Sequence, residues 1–221
     1  MKISDMNIVV TGANGAMGSI LIEYFSKRAA FVAGTIRQLS KNMEGGNTVI
    51  IEMDPLNNYS IDNAINLINN EAGAIHVWMN IVGGFIMGNH VDDVEHDAWN
   101  YMYNTNFMTT LNCCQKILPK MKVSGFGRIV NMGSQAAVRG MPLAGAYCIS
   151  KVAVHTLTKI IALENGGSIT CNAILPGIVD TPANRQKMQN ADYSNWTSLR
   201  QIAVQIERLL LSDENGVLIH V

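Results

Sequence analysis

Seven short runs, apolar on both faces, alternate with amphipathic segments from one end of the chain to the other. The runs fall at residues 7–10, 31–36, 48–52, 75–82, 127–132, 168–175 and 216–221. Helical periodicity lies between them, at about 15–28, 61–70, 98–122, 145–164 and 198–211. A strand buried on both faces needs cover on both, and helices that carry the chain back to the same edge supply it. The pattern predicts an α/β fold: one domain over residues 1–221, with a seven-stranded parallel sheet and helices on both faces. A chain of 221 residues is long enough to give such a domain a full core. The longest stretch without periodicity, 177–197, follows the sixth run and is expected to cover a crevice at the carboxyl ends of the strands.

Composition narrows the partners. The net charge is -1, so the chain lacks the positive field that nucleic acid requires. No apolar run approaches the roughly 18 residues of a bilayer span, and the N-terminus lacks the continuous apolar stretch of a secretion signal. The expectation is a cytoplasmic protein that binds neither nucleic acid nor membrane and acts on a small molecule. The four cysteines, Cys113, Cys114, Cys148 and Cys171, form no Cys-x-x-Cys pair and read as buried free thiols. His90, Asp92, Asp93, Glu95 and His96 are the densest group of possible ligands. They lie just before a helical segment, where acidic residues suit a helix N-terminus, and no metal site is expected.

The first run leads at once into Thr11-Gly-Ala-Asn-Gly-Ala-Met-Gly18 and then into a helix. Strand, glycine-rich turn and helix are the setting of a dinucleotide-phosphate site in a Rossmann-like domain. Gly12 permits the tight turn, Gly15 lets backbone amides approach a pyrophosphate, and Gly18 lets the helix pack close to the sheet. The second run ends Ala33-Gly-Thr-Ile-Arg37, without the acid that would hold a free ribose 2′-hydroxyl. Arg37 either pairs with a 2′-phosphate or is a solvated surface arginine. The first reading favours NADP(H) and leaves NAD(H) open. Asp54 either meets the adenine or serves the turn before Pro55.

Tyr147-Cys-Ile-Ser-Lys151 places a phenol and an ammonium on one helix face, four residues apart. A phenol ordinarily titrates near 10, and a nearby cation is expected to lower that value and make it a usable acid–base group. Ser134 ends the buried run Gly127-Arg-Ile-Val-Asn-Met-Gly-Ser134, thirteen residues before Tyr147. It either holds a substrate oxygen or is a turn residue. Asn106 interrupts an apolar helical stripe of Tyr103, Phe107, Leu111, Cys114, Leu118 and Met121. It either anchors a water leading to Lys151 or is a hydrogen-bonded core amide.

Taken in order, Thr11–Gly18, Asp54, Asn80-Ile-Val-Gly-Gly84, Asn106, Ser134, Tyr147-x-x-x-Lys151 and Pro176-Gly-Ile-Val-Asp-Thr181 resemble the short-chain dehydrogenase/reductase family over nearly the whole chain. That resemblance implies an NAD(P)-dependent oxidoreductase that reduces a carbonyl or oxidises an alcohol, and with Arg37 an NADP-dependent one. It implies a catalytic tetrad in which Tyr147 moves the proton, Ser134 orients the carbonyl, Lys151 tunes the tyrosine and holds the nicotinamide ribose, and Asn106 supports a relay water. The turn residues Gly12, Asn14, Gly15, Ala16, Met17 and Gly18 are assigned to the cofactor, as are Arg37, Asp54, Asn80, Gly83, Tyr147 and Lys151. Pro176, Gly177, Val179 and Thr181 would cover the nicotinamide amide. A homodimer or homotetramer through the helices of Asn106 and Tyr147 is also implied.

The sequence departs from the family at Ala16, where the main branch has its second glycine, and at Ile81-Val82 in the segment of Asn80. The stretch from Asp180 to Thr197, with Val82-Gly-Gly-Phe85 and Gly216-Val-Leu-Ile-His-Val221, is similar to quinoid dihydropteridine reductases. Those reductases lack the serine and favour NADH, whereas this chain has Ser134 and Arg37. Three functions are therefore weighed: a carbonyl reductase, a quinonoid dihydropteridine reductase, and a non-catalytic dinucleotide sensor. Apolar residues in 85–87 and 136–143 suggest a moderately hydrophobic substrate.

Overall fold

The computed structural model describes residues 1–39 and 44–221. After a 3₁₀ turn at Ile3–Asp5, the chain runs β1 (Asn7–Thr11), α1 (Ala16–Ser26), β2 (Phe31–Ile36), β3 (Glu44–Gly45), β4 (Thr48–Glu52), α2 (Asn58–Ala72) and β5 (Val77–Asn80). It continues with α3 (His96–Met102), a π turn (Tyr103–Met108), α4 (Thr109–Ser124), β6 (Gly127–Met132), α5 (Gln135–Arg139) and α6 (Gly145–Glu164). It closes with β7 (Ile169–Leu175), α7 (Pro182–Lys187), α8 (Leu199–Leu210) and β8 (Leu218–His220).

The sheet order is β3-β4-β2-β1-β5-β6-β7-β8. The seven strands expected from sequence are all parallel, in register from Asn7 opposite Phe31 across to Leu175 opposite His220. The two-residue β3 adds an antiparallel edge that the apolar pattern does not reveal. Alternation along each strand divides the core. Ile8, Val10, Val32, Met79, Val130 and Ile174 face α1 and α8, where Leu21, Phe25, Ile202, Ile206 and Leu209 cover them. Val9, Ala33, Trp78, Ile129 and Cys171 face α2, α4 and α6 through Ile61, Ile65, Cys113, Ile117 and Ile161. All four cysteines are free and buried, as expected.

The helix ends follow local chemistry. Asn57 accepts from the Tyr59 and Ser60 amides to start α2, and Ser198 forms a reciprocal capping box with Gln201 at α8. Thr181 caps α7, with Pro182 at its first turn.

Two expectations are corrected here. The stripe assigned to 98–122 is out of phase in its first half. Tyr103 is 44% exposed, and the buried face runs through Met102, Asn106, Thr110, Cys113, Ile117 and Met121. The π turn inserts an extra residue into the helical repeat and rotates everything before it. The second correction concerns apolar length: α6, at 20 residues with only two lysines, is long and apolar enough to cross a membrane by length and composition. Half of that stretch is buried within the protein, against β7 and the helices.

After β4 the chain returns past β1 to form β5 on its other side, which makes the gap between β1 and β5 the point where strand order reverses. Loops at such a point diverge and leave a crevice at the carboxyl ends.

Candidate active site

The loops beyond β1, β2, β4 and β5 enclose a cleft of about 1040 Å³. Gly12, Asn14, Gly15, Ala16, Met17 and Gly18 line it, with Arg37, Asp54 and Gly83. Nine of the residues assigned to the cofactor thus share one cavity. Gly12 has φ +69, and a β-carbon there would meet Val82 Cγ2 at 3.2 Å. At Gly18 a β-carbon would lie 2.2 Å from the Gly12 carbonyl oxygen, so only glycine lets the helix seat against the turn. The first α1 bond within this turn comes from the Ser19 N–H to Gly15 O, which leaves the preceding amides without helical acceptors beside the cleft. Free amides at a helix N-terminus, a glycine cradle and a cavity of this size fit a dinucleotide.

Thr11 joins this region to the next, a role the sequence reading did not assign. Its hydroxyl accepts from the Ile81 and Val82 amides, at 2.9 and 3.3 Å. Asp54 serves the turn, accepting the Leu56 N–H at 3.0 Å, and it also lines the cleft. Asn80 does not line the cleft. It is 3% exposed and accepts from Trp78 Nε1 while donating to Asn131 Oδ1 and Cys114 Sγ. At the last position of β5 it is still inside the sheet, so its side chain joins the interior rather than the crevice.

The second half of the site is assembled from α6, β6 and the π turn. The Ser134 side chain neighbours the Tyr147 phenol closely enough to influence it, and its hydroxyl accepts the Ala136 N–H at 3.2 Å as the cap of α5. The turn reading of Ser134 therefore holds, and its side chain stands beside the phenol. Lys151 is buried and its ammonium donates to Met132 O at 2.7 Å. Burial pushes the Lys151 amine from the ordinary lysine range down to about 8.

The tyrosine contradicts its expected direction. Burial raises the Tyr147 phenol above its ordinary value, and the Ser134 side chain, which acts to lower it, is the weaker influence. Lys151 is absent from the groups that shift it. In the free protein, removal from water outweighs the serine, and no neighbouring cation offsets it.

Asn106 is a hydrogen-bonded interior amide. Its Oδ1 accepts the Gly84 N–H at 2.9 Å, and its Nδ2 donates to Gly84 O at 3.1 Å and Ser150 Oγ at 2.9 Å. Ser150 in turn donates to Tyr147 O at 2.7 Å. Asn106 thus couples the loop after β5 to the turn of α6 that bears the tyrosine. Gly83 links the halves. It lines the cleft, and a β-carbon on it would lie 2.9 Å from Asn106 Oδ1 and 3.3 Å from Lys151 Nζ.

Beyond β7, Pro176, Gly177, Val179 and Thr181 stand outside the cleft lining. Pro176 O accepts the Gln135 N–H, Val179 bridges Thr197, and Thr181 caps α7. The stretch that follows is organised: Arg185 pairs with both Asp180 oxygens at 2.6 and 2.8 Å and covers the Tyr193 ring, which packs edge-on against Trp196. Next to the tyrosine, the Phe85 ring meets Tyr147 edge-to-face at 4.8 Å. Leu143 adopts φ +63, a strained conformation for leucine, and its carbonyl accepts the Gly88 N–H at 2.9 Å. Among the described residues, no three His, Cys, Asp or Glu side chains gather as metal ligands would.

A family model described as short chain dehydrogenase matches residues 6–192. A 3-ketodihydrosphingosine reductase from Bacteroides thetaiotaomicron is 32% identical over 157 residues, covering 71% of this chain and only 57% of the relative. A 3beta-hydroxysteroid dehydrogenase from Mediterraneibacter gnavus is 32% identical over 211 residues, covering 90% of this chain and 73% of the relative. Among solved structures, a gluconate 5-dehydrogenase from Burkholderia cenocepacia in complex with NADP and tartrate superposes with a TM-score of 0.90 at 22% identity. That alignment covers 100% of this chain and 94% of the other, and at such identity it speaks for the fold alone.

Proposed function

Because this chain belongs to the short-chain dehydrogenase family and is an oxidoreductase of that type, we propose that it reduces a carbonyl on a hydrophobic substrate, with NADP(H) preferred over NAD(H) and Tyr147 as proton donor. The observation that carries this reading is the junction at Gly83: this glycine lines the dinucleotide-sized cleft and backs directly onto Lys151 and Asn106. The cofactor supplies the hydride when bound.

The residues do the rest. The glycine turn and the free amides of α1 hold the pyrophosphate. Arg37, at the cleft wall beyond β2, pairs with a 2′-phosphate. Ser134 donates to the substrate oxygen and orients it. Tyr147, kept protonated by burial, delivers its phenolic proton to that oxygen as negative charge develops. Lys151, with a pKa of about 8, is poised to return a proton toward the site. Pro176, Gly177, Val179 and Thr181 close over the nicotinamide from the far side.

The apolar wall supports a hydrophobic substrate. Phe85, Ile86 and Met87 are exposed beside Tyr147, and a recess of about 70 Å³ lies between Ile86, Met87, Leu143 and Ala146. We further propose a soluble cytoplasmic enzyme that forms a homodimer or homotetramer through the exposed faces of α4 and α6.

The test is NADPH oxidation against a panel of aliphatic, aromatic and polycyclic ketones, with quinonoid dihydropteridine and polyols as rivals. Turnover of hydrophobic ketones, faster with NADPH than NADH, is the expected result. Cofactor binding without turnover of any carbonyl would overturn the reading in favour of a sensor.

A further inference from the structure

Ser134 is gripped from behind by a side chain that the mechanism above does not use. His155 lies on α6 two turns beyond Tyr147 and one beyond Lys151, so the three occupy one helix face. It is buried, and its Nε2 accepts the backbone N–H of Ser134 at 3.2 Å. We propose that His155 is a positioning residue: by accepting that N–H it fixes the backbone from which the Ser134 hydroxyl reaches Tyr147. The proposal rests on the hydride-transfer reading and extends it by one residue.

Two further observations support it. Gly133, just before the serine, has no room for a side chain, because a β-carbon would lie 2.5 Å from His155 Nε2 and 2.8 Å from Leu175 Cδ1. A glycine at 133 is what lets the imidazole reach the main chain. Ser134 is also pinned on its other side, where its hydroxyl accepts the Ala136 N–H. The serine is thus held at both backbone and side chain, the arrangement that keeps a small hydroxyl in one rotamer.

An imidazole must be neutral at Nε2 to accept this bond. Burial, aided by Lys151 and Lys159 on α6 and by His220 of β8, holds His155 neutral down to about 4. The acceptor therefore persists across the neutral range. If it is removed, the Ser134 N–H becomes a buried donor without a partner, and the segment 133–136 relaxes to satisfy it.

The experiment uses the purified 221-residue chain with NADPH and a ketone substrate, and three variants: His155→Leu, His155→Gln and the Ser134→Ala/His155→Leu double variant. The leucine variant is expected to lose about tenfold in kcat, the equivalent of one hydrogen bond, with NADPH affinity within about twofold of wild type. The glutamine variant places an amide oxygen near the position of Nε2 and is expected to restore kcat to within about threefold. In the Ser134→Ala background, His155→Leu should change kcat by less than about twofold, since the group it positions is gone.

Amide exchange of Ser134 by NMR reads the grip without any turnover: protection should be lost in the leucine variant and kept in the glutamine variant. Equal losses from His155→Leu with and without Ser134, or a Ser134 amide that stays protected in the leucine variant, would overturn the proposal. Should the leucine variant fail to fold, loss of Ser134 protection in the glutamine variant does the same. If no carbonyl is turned over, the hydride-transfer reading fails while the exchange result still decides the contact.

Discussion

The two halves of the crevice are built on different principles. The cofactor half, from Gly12 to Asp54, is largely backbone: glycines that admit close approach, free helix amides and an open wall. The catalytic half is interior side chains, each tied to a neighbour: Asn106 to Gly84 and Ser150, Ser150 to Tyr147, Lys151 to Met132, His155 to Ser134. A backbone site tolerates change at most positions and fails where a β-carbon cannot fit. A side-chain network transmits change at any member, because each buried polar group left alone costs free energy.

That contrast can be broken most forcefully at Tyr147. Tyr147→Phe removes the proton donor and should lower kcat by about 10³-fold, within the usual span of general acid–base catalysis, with NADPH affinity unchanged. Near-normal turnover in a steady-state assay would end the assignment. Next comes Gly18→Ala in the cofactor half. The added carbon would lie 2.2 Å from Gly12 O, so about 2–3 kcal/mol of stability should be lost together with dinucleotide binding. Urea titration with and without NADPH measures both, and an unperturbed variant would refute the cradle.

A smaller effect is expected at Arg37. Arg37→Asp should reverse the NADPH-to-NADH ratio of kcat/KM by about 10–100-fold, and an unchanged ratio would remove the basis for the cofactor choice.

The smallest effect sharpens the catalytic half through pH. His155 has a folded pKa of about 4, below its ordinary value. Unfolded chains therefore take up a proton first as pH falls, so the stability this residue contributes is present above pH 6.5 and is lost on the way down to about 4. The loss should be on the order of 1–2 kcal/mol. The unfolding midpoint of His155→Gln should lose less over the same window; parallel curves would show that another group is responsible.

What the sequence disclosed follows the same division. The turn at Gly12–Gly18 was legible because strand, glycine spacing and helix are local in the chain, and the parallel sheet was legible because strands buried on both faces are apolar throughout. Ser134, Tyr147 and Lys151, which the fold gathers around one turn of α6, were legible through spacing and resemblance. The π turn was not, since no residue type marks one extra position in a helix, and the stripe through Tyr103 was misphased as a result. The acidity of Tyr147 was read with the wrong sign because helix spacing reveals a neighbouring charge but not how deeply the phenol is buried. His155 was passed over because its partner lies 21 residues away on another element. Asn80 was assigned by motif alone, and nothing in a motif tells which way the last residue of a strand points.

Leu143 carries a consequence for how such a chain can diversify. Glycine at this position would relieve the strain of a left-handed backbone, yet it would also delete part of the apolar wall between Met87 and Ala146. Selection for robustness and selection for a narrow choice of substrate therefore pull in opposite directions at a single codon. Lineages that relax the second should drift toward glycine or asparagine there, trading discrimination for tolerance of further mutation.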